Sequence, residues 1–86
     1  MDVIWDPEKA KKLLLERGIH MEEVAEIIID GSYVDLLENP IRANQVYFII
    51  ELKRYMHVVP CLINKHEQIV IKTVYPSRKY NKKYKR

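Results

Sequence analysis

The chain has 86 residues, 48% of them hydrophobic and 31% charged, with two glycines and a formal net charge of +3. That length supports one domain burying about 60 to 65% of its unfolded surface, which leaves little room for an elaborate pocket, and the composition is globular rather than disordered. A lone Cys61 excludes an internal disulfide, Cys61 with three scattered histidines gives no metal-ligand spacing, and no apolar run reaches the roughly 20 residues of a membrane span. No metal or cofactor is therefore expected, and the opening MDVIWD, acidic where a signal peptide is basic, points to a cytoplasmic protein.

The first element announces itself at Trp5-Asp6-Pro7-Glu8. Asp6 suits the N-cap, where a carboxylate accepts from free amides, and Pro7 suits the first helical position, where its missing N–H costs nothing. A helix is expected over 7–17, with Ala10, Leu13 and Leu14 on one face, Gly18 in the left-handed position past its end, and Trp5 folded back on Ala10 as a hydrophobic staple. A second helix over 21–29 follows, with Glu22 and Glu23 in its first turn, a capping box between His20 and Glu23, and Val24, Ala25, Ile27 and Ile28 as its buried stripe.

From Ser32 the periodicity changes to β-branched and aromatic runs broken by turn residues. Strands are expected over 32–37, 45–52, 55–63 and 68–75, with tight connections at Lys53-Arg54 and Asn64-Lys65-His66-Glu67 that make the last three an antiparallel meander. Pro60 has no N–H, so a bulge or partly open edge is expected there. Val46, Phe48, Ile50 and Leu52 should face the helices and Tyr47, Ile49 and Glu51 the other side, where Tyr33, Tyr47 and Tyr55 would offer a half-apolar surface to a protein partner. The expected fold is α+β: two N-terminal helices on one face of a four-stranded, mainly antiparallel sheet, forming a single domain over 1–86 with a basic tail over 77–86.

The charge is polarised. From Lys72 onward there are seven Lys and Arg and no carboxylate, against eight basic and twelve acidic residues before it. Such a segment attracts a polyanion, and Tyr75, Tyr80 and Tyr84 suit stacking on unpaired bases. RNA is the expected partner, with Lys79, Tyr80, Lys82 and Lys83 as binding residues. The acidic second helix, carrying Glu22, Glu23 and Glu26, places that contact on the tail side of the sheet.

These residues carry a resemblance. The opening VIWDPEKAKKLLLERGIHMEEVAEII resembles the start of the BrnT toxins, with their Trp-Asp-x-x-Lys-Ala pattern, Gly-hydrophobic step and Phe-Glu-Glu-Ala helix. Glu16-Arg17-Gly18-Ile19, Glu22-Glu23-Val24, Gly31, His57-Val58-Val59 and Ile71-Lys72-Thr73-Val74-Tyr75 also resemble a group of small uncharacterised domains with the same helix, helix, sheet order. The resemblance implies a RelE-like fold, a metal-independent endoribonuclease of the type II toxin-antitoxin kind, and a cognate antitoxin as partner, with RNA met free or on the ribosome. Pro76-Ser77-Arg78-Lys79 stands where BrnT chains carry Ser-Ala-Arg, so Arg78 is the carried-over site residue. The family's helix-one Asn is Leu13 here, its His before Gly is Arg17, and its Gly near the central hairpin is absent.

Cleavage without a metal requires the 2′-hydroxyl to lose a proton, the charge on phosphorus to be neutralised and the leaving oxygen to be protonated. Arg78 suits the phosphate clamp through its planar fork, Lys72 a second positive centre, His57 proton transfer near neutrality, and Tyr75 an acid or stacking platform. Each also has a plainer reading: Lys72 on a solvent face, His57 as a structural histidine, Tyr75 in the core. Glu51 is a possible base better suited to a surface charge, and His20 and His66 fall at a cap and a turn. The other function consistent with these residues is a non-catalytic RNA- or protein-binding module.

Overall fold

A computed structural model describes residues 2–85; Arg86, counted above in the basic tail, lies outside them. The chain runs β1 (Val3–Trp5), α1 (Pro7–Arg17), α2 (Met21–Asp30), β2 (Asp35–Glu38), β3 (Gln45–Leu52), β4 (Tyr55–Ile63), β5 (Ile69–Ile71), β6 (Tyr75–Pro76) and α3 (Arg78–Tyr84). It is an α+β fold with a mixed sheet in the order β1-β5-β4-β3-β2, and β6 also pairs with β4.

The two N-terminal helices form where their caps place them. The Asp6 side chain accepts from the Glu8 amide at 2.9 Å, Pro7 opens α1, and Gly18 takes φ 65° beyond it. α2 ends on Gly31 at φ 72°, with the Ser32 amide donating to Ile27 O and that of Gly31 to Ile28 O. No side-chain bond caps α2 at its start, so the expected His20–Glu23 capping box does not form. In α1 only Leu13 is fully buried; Leu14 is half out, and Leu15 is 77% exposed.

The sheet departs from the expected four strands in three places. Val3–Trp5 is a strand, parallel to β5, with Val3 and Trp5 turned to the core and Ile4 turned away. Trp5 therefore packs as a strand residue at the edge of the core that Ala10 also borders. β2 begins at Asp35 rather than Ser32, because the Ser32 amide completes the α2 cap and Tyr33 turns to stack edge-on against Phe48, with ring centroids 4.9 Å apart.

The expected strand 68–75 is broken in two. Ile71 pairs with Cys61 and Tyr75 with Val58, so four steps on one strand face three on β4, which is a bulge of one residue. It sits opposite Pro60, whose carbonyl accepts from the Lys72 amide at 2.9 Å but which has no N–H to return. The ladder is interrupted at Pro60 as expected, with the extra residue on the partner strand. The Arg17 guanidinium donates to Val74 O at 2.8 Å and so pins the bulge to α1.

The β3–β4 hairpin closes through Lys53 and Arg54, both in the left-handed region at φ 51° and 65°, the twist that a two-residue hairpin needs. Val46, Phe48, Ile50 and Leu52 lie with Val59, Cys61, Ile69 and Ile71 in the core beneath α1 and α2. Ile49, Met56 and Val58 form a second cluster on the opposite face.

Candidate nucleic-acid interface

That second face is not open to a partner: α3 lies on it. Tyr80 and Tyr84, one helical turn apart and stacked at 6.3 Å, pack against Ile49, Met56 and Val58 with Leu37 and Tyr47 at the margin. Of the three tyrosines expected there, only Tyr47 has this orientation. Tyr33 joins the helix-side core, and Tyr55 pairs with Leu52, whose side chain is in that core, and meets His57 edge-on.

The tail folds because it contains a helix signal. Ser77 is the N-cap, its hydroxyl accepting from the Tyr80 amide at 3.2 Å, and residues 78–85 form four pairs at i,i+4 spacing. Two pairs point inward: Tyr80 with Tyr84, and Asn81 with Lys85. Asn81 Oδ1 accepts from the Met56 amide at 3.0 Å, while the Ser77 amide donates to Met56 O at 2.9 Å, so this segment satisfies both backbone groups of Met56. At the far end Tyr84 donates to an Asp35 carboxylate oxygen at 2.5 Å. Lys85 Nζ meets Glu51 at 2.6 Å and Arg54 O at 3.1 Å. The bond from Tyr84 holds the Asp35 carboxyl below its ordinary 3.8, and the same bond holds the Tyr84 hydroxyl above its ordinary 10.0.

The other two pairs, Arg78 with Lys82 and Lys79 with Lys83, are exposed on the outward face. None of the four has an ion-pair partner among the described residues, where Lys85–Glu51 is the one salt bridge. Lys79 and Lys83 each carry their ammonium 5.2 Å from the ring centroid of the following tyrosine, which keeps these cations along the helix surface. Tyr75, 40% exposed, precedes this face by one turn of chain.

The expected site residues thus divide. Arg78, Lys79, Lys82 and Lys83 come together on one helix face, and Tyr75 stands free beside its start. Tyr80 is half-buried beneath the helix, so the ring expected to stack on bases is engaged by Ile49, Met56 and Val58 instead. Lys72 is exposed at the bulge. His57 registers with Ile50 on the helix-side face, its Nδ1 2.9 Å from Tyr55 O, whereas Tyr75 registers with Val58 on the α3 side. Strand alternation therefore keeps His57 and Tyr75 on opposite faces. Glu51 is occupied by Lys85, and burial pushes the Cys61 thiol up to about 12, which leaves it without nucleophilic character. Sequence reasoning missed Ser77, Asn81 and Lys85 as the residues that hold the basic surface in place. The cap and the four i,i+4 pairs were the available signal.

Comparison of the chain with family models, curated proteins and solved structures returns no match.

Proposed function

We propose that this chain is an RNA-directed domain of the RelE-like, BrnT-like kind, a toxin that cleaves RNA in the cytoplasm and is held inactive by an antitoxin protein. The observation that supports RNA contact is the outward face of α3, where Arg78, Lys79, Lys82 and Lys83 stand on two successive turns with no ion pair to an acid among the described residues. Successive phosphates of a single strand suit such a row, since each cation that neutralises a phosphate releases a counterion. The toxin part of the reading rests on the resemblance of the N-terminal helices and of Pro76-Ser77-Arg78-Lys79.

Arg78 is the residue assigned to chemistry. Its fork donates two parallel hydrogen bonds to phosphate oxygens and so stabilises the charge that develops as the 2′-oxygen attacks phosphorus and the 5′-oxygen departs. Tyr75, exposed at the entrance to α3, suits a base-stacking or proton-donating role next to it. A second reading, a non-catalytic RNA-binding module, is favoured by one observation: His57, the only histidine in a strand, lies on the face away from Arg78.

Single-turnover cleavage of a defined RNA, with binding measured alongside, separates the two. Under the cleavage reading Arg78→Ala slows the chemical step roughly 100-fold while binding changes little, and Arg78→Lys restores binding fully and rate only partly. Equal losses of rate and affinity, both restored by Lys, reduce Arg78 to an electrostatic contact. Absence of cleavage by the wild-type chain, with and without ribosomes, selects the binding module.

A further inference from the structure

Two short helices do not cover the whole helix-side face of the sheet. α1 and α2 are 11 and 10 residues long, about 15 to 17 Å at 1.5 Å per residue. Beside the last turn of α2 an apolar groove of about 340 Å³ crosses the sheet, with a floor drawn from five strands (Val3, Ile69, Ile63, Phe48 and Leu36) and Ile29 of α2 on its wall. Its rim is more apolar than a solvated rim needs to be: Ile29 is 63% exposed and Leu36 is 40% exposed.

The charge around the groove has one predominant sign. From Gly18 to Ile41 the chain carries six carboxylates and neither Lys nor Arg. Glu26 and Asp30 flank Ile29 on the outer surface of α2, and Glu38 follows Leu36 on the same side of β2. Asp2 and Glu67 stand together beside the start of β1. Against these five acids the flanking turns supply Arg42 and Lys65.

We infer that this groove is a docking site for a basic amphipathic helix presented by a partner protein, its apolar stripe on Ile29, Leu36 and the sheet floor and its cations against Glu26, Asp30 and Glu38. Five strands at about 4.8 Å spacing make the groove roughly 19 Å long, the length of about 13 helical residues. The surface is separate from α3, and the inference stands whether or not α3 contacts RNA.

The test uses the full chain and a fluorescein-labelled synthetic 14-residue helix with leucines on one face and lysines on the other, read by fluorescence anisotropy. The wild-type chain should bind it. Ile29→Asp with Leu36→Asp should weaken binding about tenfold or more, although it adds two carboxylates, and Glu26→Gln with Asp30→Asn should weaken it less. A leucine/glutamate helix should bind far more weakly than the leucine/lysine one. RNA affinity should be unchanged in Ile29→Asp/Leu36→Asp, which separates this surface from α3. Both substituted positions are partly solvent-exposed, so the thermal midpoint should hold; if the double variant unfolds, Ile29→Asp alone carries the same expectation at smaller size. The inference is overturned by no binding of the lysine helix, by binding that is unchanged or tighter in the aspartate variants, or by equal binding of the glutamate helix. A concentration-dependent dimer in sedimentation velocity that the aspartate variants abolish would also overturn it, by assigning the groove to a second copy of the chain.

Discussion

The two faces of the sheet are covered in different ways. Between α1, α2 and the sheet the described residues include fifteen buried apolar side chains, eight of them on β3, β4 and β5, so that face is held mainly by burial, with the Arg17 bond to Val74 O at its margin. Beneath α3 lie three, Ile49, Met56 and Val58, and the cover is a seven-residue helix tethered by polar bonds at both ends: Ser77 and Asn81 to Met56, Tyr84 to Asp35, Lys85 to Glu51. A helix that short does not persist unaided, so its docking has to supply its order. One face thus provides the stability of the fold. The other holds a row of cations in fixed geometry, and the inward tyrosines are what allow the outward lysines to stand in register.

The largest effect that sharpens this contrast is on folding. Phe48→Ala should cost about 3 to 5 kcal/mol and bring the urea midpoint down for the whole chain. On the other face Tyr80→Ala, removing a half-buried ring, should cost about 1 to 2 kcal/mol, and Asn81→Ala, which strips the acceptor from the Met56 amide, a similar amount. Matching losses on the two faces would mean that both contribute alike to the stability of the fold.

A smaller change acts on the hairpin that Lys85 also touches. Lys53 and Arg54 both occupy left-handed backbone at a cost, so Lys53→Asn with Arg54→Gly should raise stability by about 1 kcal/mol, read from the urea midpoint. Loss of stability instead would mean that the Lys53 bond to Gly18 O at 3.2 Å outweighs the backbone relief.

The smallest effect concerns pH and is confined to α3. Because Asp35 is held below its ordinary value, its share of the docking is present above about pH 4 and is lost as pH falls through the lowered value. Tyr84 is held above its ordinary value, so its share is present below about pH 10 and is lost as pH rises through the raised one. Protection of the α3 amides relative to their unfolded exchange rates should therefore fall at both extremes before that of the β3–β4 ladder, and Tyr84→Phe should remove the alkaline limb. Protection in α3 that is flat across this range would show that the Tyr84–Asp35 bond does not hold the helix.

The helix-side face was legible because its pattern is regular. The alternation of Val46, Phe48, Ile50 and Leu52 and the caps at Asp6, Gly18 and Gly31 lead to the observed elements with the bounds expected for α1, β3 and β4. Val3–Trp5 was hidden because three residues are too few to establish a period and the Asp6-Pro7 cap beside them explains Trp5 equally well. The break at Lys72–Val74 depends on Pro60, a residue twelve positions away in sequence, and local periodicity cannot register a missing N–H on a neighbouring strand. In the tail, charge and the resemblance at Pro76-Ser77-Arg78-Lys79 lead to Arg78, Lys79, Lys82 and Lys83, but the expectation of base stacking puts Tyr80 on the outside. The i,i+4 repeat that turns Tyr80 and Tyr84 inward was present in the same seven residues.

The measurement that bears most directly on the two-faced character of α3 is the salt dependence of single-stranded RNA binding, comparing the wild-type chain, Arg78→Ala/Lys79→Ala/Lys82→Ala/Lys83→Ala, and Lys85→Ala. Four outward cations released from phosphate contact should reduce the slope of log affinity against log salt by about 2.8, at about 0.7 per contact, while Lys85, turned inward to Glu51, should leave the slope nearly unchanged. An unchanged slope in the fourfold variant, or an equal loss per residue at Lys85, would contradict the account, because the tail would then act as diffuse charge rather than as a helix with one face given to RNA.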